Sequence, residues 1–189
     1  MSNILRAILV IAIPAVAFLG GGYVMGKLSG HDEVERQSRS LSKEDQKGLG
    51  LRIGGYDLEA VARRWGVLDP AGLSAEQRML EMDLVFPFLY GGAFAASLLL
   101  TWAALGRPFN PIWLIAPVAI NVLADWTENL IQLSQLHRFE SNKIDGLQAP
   151  WIQIASAATT TKVVCFSASY FFVIALALWL VGRAISSRT

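Results

Sequence analysis

The sequence is poor in the side chains that most cofactor and redox sites require. Its 189 residues include one cysteine and two histidines. Cys165 alone cannot form an internal disulfide, a Cys-x-x-Cys redox pair or a thiolate metal set. His31 and His137 both fall in predicted loops, so haem ligation within an apolar helix and a His-Glu-x-x-His zinc motif are excluded. We therefore expect neither a metal nor another cofactor.

Charged residues are also scarce. Asp, Glu, Lys and Arg make up 16% of the chain, whereas roughly a quarter is usual for a soluble domain. The formal net charge of +1 gives no basic footprint for nucleic acid. Hydrophobic residues reach 53% and the mean hydropathy is +0.43. This composition is too apolar for an ordinary soluble domain and predicts a protein whose main partner is the lipid bilayer.

Long apolar runs confirm where that hydrophobicity is concentrated. They cover residues 4–25, 84–105, 112–133 and 152–181, each near or above the roughly 20 residues that span about 30 Å of hydrocarbon. The sequence therefore predicts an all-α membrane protein with four transmembrane helices in an antiparallel bundle. Residues 1–27 would form the first helix, residues 74–182 a three-helix membrane unit, and residues 183–189 a tail.

The first apolar run allows a second interpretation. Arg6 precedes it and the run contains Ala15-Val-Ala17, which is the layout of a secretory signal. The apolar stretch nevertheless continues through Gly22 to Met25, beyond the usual length of a signal. We expect a retained anchor helix, bent at Pro14.

Residues 28–73 form a long charged loop between the first two spans. The tract 31–55 is low in apolar residues, so we expect a solvated arm without a core. From Tyr56 to Leu68 the apolar spacing predicts a short amphipathic helix with Arg63 and Arg64 on its polar side. This helix would lie on the membrane surface or cap the bundle.

The next helix is predicted to begin in a capping box. Ser74 is followed three residues later by Gln77, which is typical of such a box, and residues 69–72 would end the amphipathic helix. No helix breaker occurs before Pro87, so the helix would begin outside the membrane and enter it near Asp83.

Polar residues recur along one face of the third predicted span. Their spacing of i, i+4, i+7, i+8 and i+11 places them on one side of a helix. They are Asn121, Asp125, Glu128, Asn129 and Gln132. A carboxylate in hydrocarbon is costly unless it is neutral, paired or facing water. The face should therefore point toward protein or a cavity.

Helix direction gives four ionisable residues a similar depth. Asp83 lies where the second span begins, and Asp125, Glu128 and Lys162 lie about 8 to 15 Å from the same end at 1.5 Å per residue. These four are the candidate catalytic residues. The candidate binding residues are their polar neighbours Tyr90, Asn121, Asn129, Gln132 and Thr159. Three acids against one base would leave the cluster with an excess of negative charge.

Three short patterns resemble those of uncharacterised bacterial four-helix membrane proteins. They are Asp83-x-x-Phe-Pro-x-x-Tyr90, Asp125-x-x-Glu128-Asn129 and Thr159-x-x-Lys162, within a resemblance that covers roughly residues 56–170. The resemblance implies the four-helix architecture, a bacterial inner membrane and the same choice of site residues. It implies no activity.

The orientation in the membrane follows from two opposing signals. A Lys and Arg count places the long loop in the cytoplasm, since Arg6, Arg107, Arg183 and Arg188 are outnumbered by the loop residues. The loop is, however, near the length at which that rule fails, and Arg6 ahead of the first run is typical of a cytoplasmic N-terminus. We expect both termini in the cytoplasm.

Two classes of function remain open. In the first, the chain is a non-catalytic subunit or scaffold that binds a partner membrane protein, and its polar cluster is a buried ion pair that fixes the packing of the helices. Alternatively, it is a membrane enzyme or binding protein that acts on a lipid or other amphiphile through intramembrane carboxylates. A Schiff base on Lys162 is chemically possible, but a lone membrane lysine beside acids is typical of a salt-bridge partner.

Overall fold

The computed structural model describes residues 3–186, and the tail residues 187–189, with Arg188, lie outside the described part. Within this range the chain is all-helical, as predicted, and contains no strand. The helices are α1 (Asn3–Ser29), α2 (His31–Gln37), α3 (Lys43–Gln46), α4 (Leu58–Gly66), α5 (Pro70–Met82), α6 (Phe86–Ala104), α7 (Ile112–Asn142) and α8 (Ala149–Ser186). Short 3-10 turns occupy Ser38–Ser40, Leu49–Leu51 and Lys143–Gly146.

Three helical stretches are long and apolar enough to cross a membrane. They are Ile4–Ser29, Pro70–Ala104 and Ala149–Ser186 among the described residues. Much of their apolar surface points outward, where lipid would cover it. These helices are the ones expected of a helical membrane protein. The predicted span at residues 112–133 lies within α7, whose polar inward face lowers its hydropathy, so the four-helix bundle is not confirmed.

The first of two apolar cores lies among the membrane helices. We call α1, α6, residues 112–132 of α7 and residues 156–186 of α8 the bundle. Its core contains Val10, Met25, Phe86, Tyr90, Phe94, Leu98, Leu105, Leu114, Val118, Val173, Leu176 and Leu180. At Gly91 the helices α6 and α7 approach closely, because a Cβ there would lie 2.6 Å from a methyl group of Val122. The glycine thus permits close helix packing.

The second core lies beyond the charged-loop end of the bundle. Residues 31–82 and 133–155 form this part, which we call the cap. Its buried residues include Val34, Leu49, Tyr56, Val61, Trp65, Leu73, Leu80, Leu136, Phe139, Ile152 and Ala155. Residues 31–55 are consequently not a solvated arm, since Val34 and Leu49 are fully buried. Their few apolar side chains complete a core that α4, α5, α7 and α8 supply.

Arg64 contradicts the prediction that it lies on the polar side of the amphipathic helix. It is only 1% exposed, and its Nε donates to Glu76 Oε1 at 3.3 Å. Its Nη1 donates to the backbone carbonyls of Gln46 and Lys47 at 3.0 and 3.1 Å. The segment around α3 covers this side of α4, so the guanidinium holds that segment in place.

Asp45 fixes the same segment from the other side. It accepts a hydrogen bond from Arg52 at 3.2 Å and also forms an ion pair with Arg63. Burial alone would raise the pKa of Asp45, but the Ser42 hydrogen bond and the charges of Arg63 and Arg52 hold it below its usual range. The carboxylate therefore stabilises the segment between α3 and α4.

The start of α5 differs from the predicted capping box at Ser74. The helix begins at Pro70, because Asp69 accepts a hydrogen bond from the Gly72 amide at 2.8 Å. An Asp N-cap followed by Pro at the first position is a strong helix start. Residues 69–72 therefore start α5, whereas Pro70 considered only as a helix breaker predicts the end of the preceding helix.

A bend separates α5 from α6. Helical geometry ends at Met82 and resumes at Phe86, and Pro87 lies in the first turn of α6. The prediction of an unbroken helix through Asp83 is therefore wrong. Pro87 starts the second helix, where a missing amide proton costs little, and the bend leaves backbone carbonyls of residues 83 and 84 free to accept side-chain donors.

Candidate functional site

The polar face of α7 points into the protein. Its five predicted members, Asn121, Asp125, Glu128, Asn129 and Gln132, are all buried. The helix can present them together because their spacing repeats close to its period of 3.6 residues per turn. The polar face is thus covered by neighbouring helices and not by lipid.

Two of the predicted carboxylates share the predicted lysine. The Lys162 ammonium of α8 lies 3.0 Å from Asp125 Oδ1 and 2.6 Å from Glu128 Oε2. Exposed fractions of the three side chains are 15%, 5% and 0% in that order. Removing such charges from water is costly, and mutual attraction with further hydrogen bonds offsets this cost.

Asp125 accepts neutral hydrogen bonds in addition to the ion pair. Tyr90 of α6 donates its hydroxyl to Asp125 Oδ2 at 2.7 Å. Asn129 Nδ2 reaches Asp125 Oδ1 at 3.3 Å. Asn121 Nδ2 in turn donates to the Tyr90 oxygen at 3.1 Å. This carboxylate therefore joins α6, α7 and α8 at one point.

Glu128 has a separate set of partners that leads into the cap. Gln132 Nε2 lies 2.8 Å from Glu128 Oε1 and 2.9 Å from the Tyr56 hydroxyl. The buried Thr159 hydroxyl donates to the backbone carbonyl of Ala155 at 3.1 Å. Burial raises the pKa of the Tyr56 phenol above its ordinary value, and the Glu128 charge adds to the rise. Tyr56 is consequently a neutral partner of the cluster.

Asp83 lies at the edge of the cluster and is partly exposed. Its charge interacts with those of Asp125 and Lys162. Its backbone carbonyl accepts a hydrogen bond from Asn129 Nδ2 at 3.1 Å. The next carbonyl, of Leu84, accepts from the Trp126 indole at 2.8 Å. The bend between α5 and α6 is thereby attached to α7.

The backbone of the cap covers the ion pair. A Cβ placed on Gly50 would lie 3.1 Å from Glu128 Oε1 and 3.2 Å from Lys162 Nζ. We call residues 48–53 the covering turn. Because nearly any side chain at Gly50 would press on the charged groups, the glycine is what lets the turn approach them. Arg52 and Arg64 hold the preceding segment and so position the turn.

The structure brings together all nine candidate residues, with Asp83 outermost. Sequence reasoning missed Gly50, Tyr56, Trp126 and Arg64. Gly50 and Tyr56 were assigned to a loop and to a helix start, and nothing in their local pattern indicates a partner more than 70 positions away. Trp126 does carry a usable signal, since it lies on α7 between two site residues.

In chemical terms the cluster is an ion pair in which carboxyl groups outnumber the one ammonium they share. Asn121 Oδ1 is buried and has no hydrogen-bond partner within the described residues. Residues 3–186 contain no group of three or more His, Cys, Asp or Glu arranged to hold a metal ion. The remaining polar atoms on the site mostly satisfy each other, as buried polar groups usually do.

No known protein family, curated protein or solved structure matches the chain.

Proposed function

We propose that the chain is a non-catalytic scaffold of a membrane assembly, in which the polar cluster clamps the cap onto the bundle. One observation carries this proposal. The Lys162 ammonium binds both Asp125 and Glu128, and the backbone at Gly50 packs directly on that pair. The paired charges lie between the apolar core of the bundle and the apolar core of the cap. Separating the cap from the bundle would expose them.

The clamp has its members on different parts of the chain. Tyr90 belongs to α6, Asp125 and Glu128 to α7, Lys162 to α8 and Tyr56 to the cap. A set of contacts that joins so many segments favours one fixed arrangement of helices. Such an arrangement would hold the cap at a defined angle to the membrane. The cap would then present its surface to a partner membrane protein.

The proposal includes α7 as a fourth transmembrane span. Its outward side chains support this, because Trp113, Ile120, Leu123 and Leu130 are between 46% and 70% exposed. Its polar side chains point inward and are buried. A helix with an apolar outer face and a polar inner face can cross a bilayer when the inner face contacts protein.

We also propose a bacterial inner membrane as the location, with both termini in the cytoplasm. Arg183 donates to the backbone carbonyl of Leu105 at 2.7 Å, which brings the ends of α6 and α8 together. Arg107 lies beside this contact in the chain. Arginines grouped at one end of the bundle are typical of the cytoplasmic side, and the cap would then be periplasmic.

A second candidate function is binding of, or catalysis on, a lipid or other amphiphile. The unpartnered Asn121 oxygen and the excess of acids over Lys162 favour it. A head group that donates hydrogen bonds could satisfy both. Paired carboxyl groups in such a site are also suited to general acid–base chemistry.

One experiment separates the two functions. Asp125→Asn and Glu128→Gln keep the shape of each side chain but remove its charge, and Asp145→Asn makes the same change at an exposed cap residue. Each purified variant is tested for limited trypsin cleavage of the cap and for co-purifying lipid by mass spectrometry.

If the chain is a scaffold, trypsin should cleave the cap faster in both site variants than in the Asp145→Asn control. The site variants should retain as much co-purifying lipid as that control. Loss of a specific bound amphiphile from the site variants would overturn the scaffold proposal in favour of the second function. Cleavage at the rate of the control would show that the cluster does not clamp the cap.

A further inference from the structure

The covering turn carries apolar side chains on its outer surface. Leu51 and Ile53 are 69% and 68% exposed. Arg52 between them points inward to Asp45 and is 3% exposed. Residues 48–56 consequently expose two large aliphatic side chains and no charge, which is unusual for a loop that faces water.

The height of this segment follows from its contacts with α8. The Tyr56 amide donates to Ser156 Oγ at 2.8 Å, and Gly50 packs beside Lys162. The chain from Tyr56 back to Gly50 therefore runs alongside α8 from Ser156 toward the bundle, over about 9 Å at 1.5 Å per residue. The exposed side chains lie on this stretch.

The edge of the hydrocarbon can be located on α8 by comparison with α6. The 19 residues of α6 extend about 28 Å, close to the thickness of the hydrocarbon layer. Arg183 contacts the last residues of α6, so the two helices share that end. Counting the length of α6 back from Arg183 along α8 reaches Val164, which is itself exposed.

By this count Lys162 would lie near the cap-side edge of the hydrocarbon, whereas counting from the start of the apolar run at Ile152 gives a depth of about 15 Å. The covering turn contacts Lys162 and thus lies at the same level. We propose that Leu51 and Ile53 insert into the interface of the bilayer and bind lipid acyl chains, so that the covering turn is a membrane anchor of the cap.

The proposal depends on α8 crossing the membrane and is independent of the scaffold function. An anchor of this kind would add a lipid-dependent contact at the turn that covers the ion pair. Interfacial segments bind through the apolar area they bury and need no specific lipid head group.

The test uses single-cysteine variants of the full chain in which Cys165 is replaced by Ala. A fluorophore sensitive to polarity is attached at Leu51→Cys or Ile53→Cys. Ile144→Cys is the matched control, because Ile144 is 55% exposed but lies in the turn between α7 and α8, at the far end of the cap. Each variant is reconstituted in phosphatidylethanolamine–phosphatidylglycerol vesicles, with or without brominated acyl chains.

We expect brominated lipid to quench the probes at positions 51 and 53 severalfold more than the probe at position 144. Equal quenching at the three positions would overturn the proposal. A second result would also overturn it. If the probe at position 51 is blue-shifted, is not quenched by brominated lipid and changes with the protein-to-lipid ratio, a second copy of the chain covers the turn. Melting temperatures equal to that of the Cys165→Ala parent establish that each variant is folded.

Discussion

Replacing Lys162 by Met tests the clamp most directly, because it removes an ammonium that two buried carboxylates share. Breaking one partner of a buried ion pair costs about 3–5 kcal/mol. Each kcal/mol shifts the melting temperature of a chain of this size by about 2–4 °C. We therefore expect Lys162→Met to lower the melting temperature in detergent by roughly 6–20 °C.

Second-site changes show which charge is stranded. Adding Asp125→Leu to Lys162→Met removes one unpaired carboxylate, but Glu128 remains, and it is both nearer to the lysine and fully buried. Stability should therefore return only in part. Adding Glu128→Leu as well should recover more of it, since an apolar replacement of a whole buried ionic group is often neutral or stabilising.

The assay is a thermal melt followed by tryptophan fluorescence, repeated in lipid nanodiscs. Lys43→Met is the matched control, since Lys43 is exposed and such surface changes stay within about 0.5 kcal/mol. If Lys162→Met melts together with Lys43→Met, the pair contributes nothing to stability and the clamp hypothesis fails. A triple variant no more stable than the single one would refute the stranded-charge explanation.

Three further predictions concern packing, the cap and pH. Gly91→Ala should lower the melting temperature, since its Cβ would lie 2.6 Å from a valine methyl and overpacking costs about 1–3 kcal/mol; Gly92→Ala, with no described heavy atom within 4 Å, should not. Arg64→Met should speed proteolysis of the cap by stranding Glu76, and adding Glu76→Met should reverse this. Asp45 stabilises the folded cap above its unfolded pKa of 3.8, so acidification through its lower folded pKa should reduce the protection of the amides of residues 43–52 relative to the unfolded chain at the same pH.

Each of these has a contradicting result. Equal melting of the two glycine variants would mean that α6 and α7 do not approach as closely as described. Unchanged proteolysis of Arg64→Met would mean that the buried guanidinium does not hold the segment around α3. If the protection of the amides of residues 43–52 does not change with acid, Asp45 does not stabilise this segment.

The membrane class and the composition of the polar face could be predicted from the sequence, because both depend on local patterns. Apolar runs predicted four spans, three of which coincide with helices long and apolar enough to cross a membrane, and the spacing of polar residues identified the inward face of α7. Depth along the helices then selected Asp125, Glu128 and Lys162 as neighbours. That last step succeeded because helix rise converts residue number into height.

The cap could not be predicted in the same way. Its core is built from short segments that carry one or two apolar residues each, such as Val34 and Leu49, and these give no periodic signal. The burial of Arg64 depends on backbone carbonyls supplied by another segment, which helical periodicity does not encode. Gly50 is informative only once the chain has folded back onto Lys162.

The cap core combines residues from early and late in the sequence, and this determines when it can form during synthesis. Val61 and Trp65 are made early, but the residues that cover them include Phe139 on α7 and Ile152 on α8. The nascent cap must therefore wait for the last membrane helix before it can close. Until then its aromatic and aliphatic side chains have no partners from α7 and α8 to bury them.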